Sequence, residues 1–205
     1  SLPYLRDEFV LFQTYTGNTI KSVNGLDGDL PATTLTFSRP ELTLVTYRST
    51  PSSIKFEEWA EFESYLQTQG LEHVIQSHKI SGKPTKNITE LYERNAKLLI
   101  GVGVVGRDRR TGLPLEIVAE SNPSTLNRGS TLSLRLFFRG KPLVGSQITA
   151  FAKAEPTRPL KTRTDSTGRA KIQLPHAGAW LVSSVHMVAP PAAQNADWYS
   201  YWASL

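Results

Sequence analysis

Thr131-Leu132-Ser133-Leu134-Arg135-Leu136-Phe137-Phe138 places Leu132, Leu134, Leu136 and Phe138 on one side of an extended chain. Period-two alternation of this kind is the signature of a half-buried strand. The text around it repeats the pattern. Ile148, Ala150 and Ala152 share a face, as do Ala170, Ile172 and Leu174 after the turn cluster Thr164-Asp165-Ser166-Thr167-Gly168. His176-Ala177-Gly178 then precedes a further run from Trp180 to Val188. Short strands at this spacing with polar turns between them predict a two-sheet sandwich from Leu115 onward.

The first half reads differently. Phe9 to Phe12, Leu35-Thr36-Phe37 and Leu42 to Tyr47 predict short strands, with Asn24-Gly25, Asp27-Gly28 and Arg39-Pro40 as turns. Apolar groups on both faces of Leu42–Tyr47 make that strand an internal one. Trp59, Phe62 and Leu66 at helical spacing predict a helix over 56–69, stopped by Gly70, with Leu71 to His78 as a further turn or helix. Ile88, Leu91, Tyr92, Asn95, Ala96 and Leu99 at i, i+3, i+4 offsets predict a second helix over 88–99, with Asn87 as N-cap and Glu90 completing a capping box. The expectation is a mainly β fold with a small helical insert, in two parts: 1–106, and a β-sandwich over 107–205. Glycines, arginines and Gly112-Leu113-Pro114 gather near the boundary.

Composition bounds the function. The chain has 205 residues, 39% of them hydrophobic and 20% charged, as in an ordinary globular protein. It has no cysteine, so disulfides, thiolate metal sites and cysteine nucleophiles are excluded. The net charge of +5 is scattered, and the densest group, Arg107, Arg109 and Arg110, is interrupted by Asp108; no nucleic-acid-binding footprint is formed. No run approaches the roughly 20 apolar residues that span a bilayer. The start at Ser1 without a methionine, and the stop at Leu205 within an alternating run, suggest an ordered fragment or processed form, with a signal peptide removed or lying outside the given sequence.

No zinc-protease helix, serine-nucleophile elbow or phosphate loop is present. Gly101-Val102-Gly103-Val104-Val105-Gly106 resembles a dinucleotide fingerprint, but it follows an expected helix and no helix is expected after it. A hydrolase triad would need one of His73, His78, His176 or His186, and no motif selects one, so the expectation is a protein that is not an enzyme. Glu57 and Glu61 read as a solvated helix face rather than a catalytic pair. His73 and His78 lie roughly 140° apart on a regular helix and would not chelate together. His186 and Met187 are neighbours on a strand, so they face opposite ways unless the strand bulges or ends. Imidazole suits nickel, copper or zinc, and thioether suits copper(I). By residue type alone, a packed structural role is the better account of His186, and still more so of Met187. Asn87-Ile88-Thr89 matches a glycosylation sequon, but Asn87 is better used as a cap.

Asn122-Pro123-Ser124, Gly140-Lys141-Pro142-Leu143, Thr164-Asp165 with Gly168-Arg169-Ala170, and Gly178-Ala179-Trp180 resemble the pattern of carboxypeptidase-regulatory or transthyretin-like sandwiches. Val185-His186-Met187, the ending Asp197-Trp198-Tyr199-Ser200-Tyr201-Trp202-Ala203-Ser204, and Tyr92-Glu93-Arg94-Asn95-Ala96-Lys97 are together similar to the bacterial NikM-like domain family of unknown function. That resemblance covers residues 85–205 well and the first part loosely. It implies a protein exported to the periplasm of a Gram-negative bacterium, associated with nickel or cobalt uptake and with envelope transport components as partners. The family commonly begins with a histidine-containing segment, and this sequence has no histidine before His73. His186 is the position carried over as a possible ligand for a divalent metal such as nickel, cobalt, copper or zinc. Asp197, Trp198, Tyr201 and Trp202 form a second candidate surface. If exposed, these aromatics with Tyr199 would favour an alternative role, a structural or interaction module binding protein or carbohydrate. A third reading, an enzyme of unrecognised type, would need a cleft with converging His, Asp or Ser groups.

Overall fold

A computed structural model describes residues 3–36, 40–101, 106–192 and 194–205. In chain order the strands of the first part are Phe9–Thr16 (β1), Thr19–Ser22 (β2), Leu42–Ser49 (β3) and Ser52–Glu58 (β4). Helices Trp59–Gln69 (α1) and Glu72–Ile80 (α2) follow, then the long strand Lys86–Gly101 (β5). Beyond it come Leu115–Ala119 (β6), Thr131–Phe138 (β7), Lys141–Pro142 (β8), Gln147–Ala152 (β9), Glu155–Arg163 (β10), Arg169–Gln173 (β11), Trp180–Val188 (β12) and Trp198–Ser204 (β13).

These strands make two sheets. The larger runs β10-β9-β12-β13-β5-β3-β1-β2, with β4 also paired to β5; the smaller runs β11-β7-β6, with β8 on β7. β5 is the spine. One of its edges takes β4 along Lys86–Tyr92 and β3 along Asn95–Gly101, while the other takes β13 in parallel along Glu90–Ala96. Strands from both sides of residue 106 therefore share one sheet.

The helix expected over 88–99 is this spine strand. Even-numbered side chains at its start, Ile88 and Glu90, are buried on the face covered by α1 and α2. Odd-numbered ones further along, Glu93, Asn95 and Lys97, are buried on the opposite face. Burial that changes face midway mixes two period-two patterns into apolar offsets of three and four, which mimic a helix. Asn87 is no N-cap: it sits in the strand at φ 55°, a conformation asparagine tolerates better than most residues. The other helical expectations correspond to α1, whose first turn starts at Trp59 because 56–58 still belong to β4, and to α2. Gly70 ends α1 at φ 71°, and its N–H bonds the Leu66 and Gln67 carbonyls. Leu35 and Thr36 form no strand; Phe37 and Arg39 lie outside the described residues.

Each face of the large sheet carries its own core. Phe62, Leu66, Leu71 and Val74 of the helical segment pack on Phe56, Ile88, Val185, Met187 and Trp198. On the opposite face, Leu132, Leu134 and Leu136 of β7 join Leu115, Ile117, Ala170 and Ile172 of the small sheet against Ile148, Ala150, Val182, Tyr199, Tyr201 and Ala203. The alternation of β7, β9 and β11 is thus used as read, with Phe138 only half-buried at the rim. Met187 is a core residue.

Candidate functional site

β12 pairs with β9 only from Trp180 to Ser183, so the strand runs on past its neighbour toward Val188. Beyond the end of β9, the loop Leu143–Ser146 and the α1–α2 junction close around Val185 and His186, leaving a cavity of about 180 Å³. His73, from the first turn of α2, lines the same cavity. His73 and His186, more than a hundred residues apart in sequence, thus both line one cavity, although the His186 ring faces the small sheet, opposite Val185 and Met187.

Their environments lower the pKa of both. Burial, with smaller effects from His73 and Arg139, pushes the His186 pKa down to about 4. The ring packs edge-on against Phe138 at 4.4 Å between centroids. His73 stands at the open mouth. Partial desolvation lowers its pKa, Glu72 opposes this, and Arg163 adds to it. A neutral imidazole has a nitrogen lone pair free for a metal. Among the described residues no group of three His, Cys, Asp or Glu side chains converges as a metal cluster would. His73, Ser146 and His186 line the cavity, and the Arg139 guanidinium near His186 disfavours a cation.

The other histidines are committed elsewhere. His78 is buried; its Nδ1 accepts from Trp198 Nε1 (2.9 Å), so Nε2 carries the proton and donates to the Pro84 carbonyl (3.0 Å). His176 Nε2 pairs with Glu155 Oε2 at 3.1 Å.

The second candidate surface is no surface. Trp198, Tyr199 and Tyr201 are buried and Trp202 is half-buried, so no exposed aromatic row exists on β13. Alternation explains this: Trp198, Ser200 and Trp202 face the helices, and Tyr199, Tyr201 and Ala203 face the small sheet. Each polar tip has a partner. Tyr199 donates to Glu93 Oε2 (2.9 Å), Tyr201 accepts from Arg139 Nη2 (3.1 Å), and Trp202 donates to Ser200 Oγ (2.9 Å) while stacking on Tyr65. Asp197 Oδ2 accepts the Thr89 amide (2.8 Å) and fastens the start of β13 to β5.

Reading β5 as a helix concealed three buried polar centres. Glu90 accepts from Tyr65 Oη (3.1 Å) and Ser200 Oγ, and its other oxygen, Oε2, has no partner among the described residues. Burial raises the Glu90 pKa, against the pull of those hydrogen bonds, and burial beside Glu90 raises that of Tyr65. Glu93 takes Arg48 in a two-pronged contact, Nε at 3.1 Å and Nη2 at 2.8 Å. Lys97 reaches Asp108 (2.8 Å), Glu116 (3.3 Å) and the Arg109 carbonyl (3.1 Å), and so ties the 107–112 loop to the spine. Glu57 and Glu61 are exposed, and Glu61 Oε2 accepts the Glu57 amide (3.2 Å) where α1 starts. Val102–Val105 of the glycine-valine segment lie outside the described residues. A strand, not a helix, precedes them, and no helix follows over 106–114.

Fold and site together define a mainly β protein of two packed sheets with a helical layer, a small cavity lined by His73 and His186, and a polar core given over to fastening its strands. The chain belongs to the family described as domain of unknown function DUF4198, whose model matches residues 5–188. No curated protein and no solved structure matches it.

Proposed function

We propose that this chain is an exported, non-catalytic accessory protein that transiently holds a divalent transition metal at the cavity shared by His73 and His186, in the service of nickel or cobalt uptake at the cell envelope. The observation that carries the reading is that His73 and His186 line one cavity, with the His186 pKa lowered by burial. The periplasmic setting, the NikM-like resemblance and the choice of nickel or cobalt come from the sequence motifs around His186 and Trp198; imidazole chemistry would serve copper and zinc as well. Two protein nitrogens leave coordination positions for water or for a donor from the transport machinery, as a carrier that must release its cargo requires.

Calorimetric titration with nickel, cobalt, copper and zinc tests this. Saturable binding that weakens in both His73→Ala and His186→Ala supports the role; no binding by the unaltered protein sinks it. A second reading is an interaction module whose C-terminal part is an immunoglobulin- or transthyretin-like sandwich. The face-to-face packing of β6, β7 and β11 on β9, β12 and β13 supports that architecture.

A further inference from the structure

Phe138 pairs with Lys141, so the turn between β7 and β8 has two residues, and both are left-handed: Arg139 at φ 48° and Gly140 at φ 79°. A hairpin this tight needs that backbone, and asparagine followed by glycine adopts it most readily. Arginine at the first position is held against its own backbone preference. What the turn gains is the placement of the Arg139 side chain. Its guanidinium lies over the Phe138 and Tyr201 rings, 5.0 and 5.9 Å from their centroids, and donates to Tyr201 Oη at 3.1 Å.

Arg139 is one of three arginines on an open cleft of about 460 Å³. Arg110, from the loop before β6, lies over the Phe137 ring (5.2 Å) and donates Nη1 to the Gly140 carbonyl (3.0 Å). Arg48 of β3 borders the cleft as a charge already paired with Glu93. Arg110 and Arg139 have no carboxylate partner among the described residues, and each side chain makes one hydrogen bond there, which leaves most of its N–H donors for a ligand. The Glu116 carboxylate also lines the cleft but is committed inward. Its Oε1 takes Lys97 Nζ (3.3 Å) and the Thr111 amide and hydroxyl (2.6 and 2.8 Å), and its Oε2 takes the Gly112 amide (3.2 Å). Buried Leu113 and Tyr201 supply an apolar wall.

We propose that this cleft binds a small organic anion carrying at least two carboxylate or phosphate groups, with Arg139 and Arg110 each holding one and Leu113 and Tyr201 covering the carbon skeleton. A guanidinium fork matches the paired oxygens of either group. Stacking on aromatic rings fixes both forks before the ligand arrives, so little side-chain freedom is lost on binding. The cleft has the volume of a small-molecule site. The inference is independent of the metal reading.

Citrate and fructose 1,6-bisphosphate are titrated in metal-free buffer at about 0.15 M salt, so that the outcome does not depend on the histidine cavity. Binding is read by calorimetry and by the arginine Nε–Hε resonances. The expected result is saturation by at least one of them with a Kd below about 1 mM, displacing the Arg110 and Arg139 resonances. Which of the two binds distinguishes carboxylate from phosphate. Arg139→Asn suits the left-handed turn better, so it should keep or raise the Tm while weakening binding at least about tenfold. Arg110→Gln should weaken binding at least about fivefold. Absence of saturation by either anion up to about 10 mM overturns the proposal, as does undiminished binding by Arg139→Asn. Equal binding of acetate and sulfate overturns it in favour of diffuse attraction to a basic protein. Saturation by an oligoglutamate peptide and by neither small anion overturns it in favour of an acidic protein partner.

Discussion

Replacing Lys97 with methionine separates the spine strand from the amphipathic helix that its sequence imitates. On an exposed helix face the change would cost within about 0.5 kcal/mol. In the structure, the Lys97 ammonium is enclosed with Asp108 and Glu116, whose side chains are 0% and 2% exposed. Removing one partner of a buried ion pair typically costs about 3–5 kcal/mol, because the remaining charge is left uncompensated. Here both carboxylates keep backbone donors: Asp108 takes the Arg109 and Ala119 amides, and Glu116 takes Thr111 and Gly112. The loss should therefore lie near the lower end, about 3 kcal/mol, or roughly 6–12 °C in Tm for a chain of this size. Urea unfolding followed by circular dichroism reads it as a lower midpoint at unchanged slope. Burial already raises the Asp108 pKa against the pull of Lys97. Without the lysine it rises further, so the deficit should be greatest at neutral pH and shrink as the pH is lowered and Asp108 takes up a proton. A loss below about 1 kcal/mol, or one independent of pH, would refute the reasoning.

Three further outcomes are expected. Glu90 has a folded pKa raised above its unfolded value, so its contribution is most favourable below about pH 4.5 and is lost as pH rises through the folded pKa; Glu90→Gln should remove at least about 1 kcal/mol of that decline between pH 4.5 and 8, measured by denaturation at both ends. Trp198→Phe strips the donor from His78 Nδ1 and should cost about 2 kcal/mol in chemical unfolding, with the His78 ring resonances displaced. Gly70→Ala forces a Cβ to within 2.7 Å of Gln147 Cβ at a left-handed φ, and should cost about 2 kcal/mol by the same assay.

How far the fold could be read depended on how many of a strand's faces are buried. β7 was legible because Leu132, Leu134 and Leu136 go inward while Thr131 and Ser133 stay nearer solvent. β3 declared itself internal through apolar groups on both faces, and α1 through the spacing of Trp59, Phe62 and Leu66. β5 was not legible. Its buried positions include Glu90, Glu93, Asn95 and Lys97, and charged residues are read as exposed unless their partners are known. Arg48, Tyr65, Asp108, Glu116 and Tyr199 are those partners, and only tertiary structure brings them there. The candidate site shows the same limit. His186 can be singled out from its motif, but in the sequence His73 has only His78 near it, whereas the histidine that lines the same cavity lies on β12. The β13 aromatics could be placed in a strand, but their burial depended on layers that cover both faces.

The most direct test of the proposed function is to titrate the protein with zinc, which is diamagnetic, while observing the ring nitrogens of all four histidines by NMR. The account predicts saturable displacement of the His73 and His186 ring nitrogens together, with His78 and His176 unmoved. Displacement centred on His176, or no histidine responding at all, would contradict it.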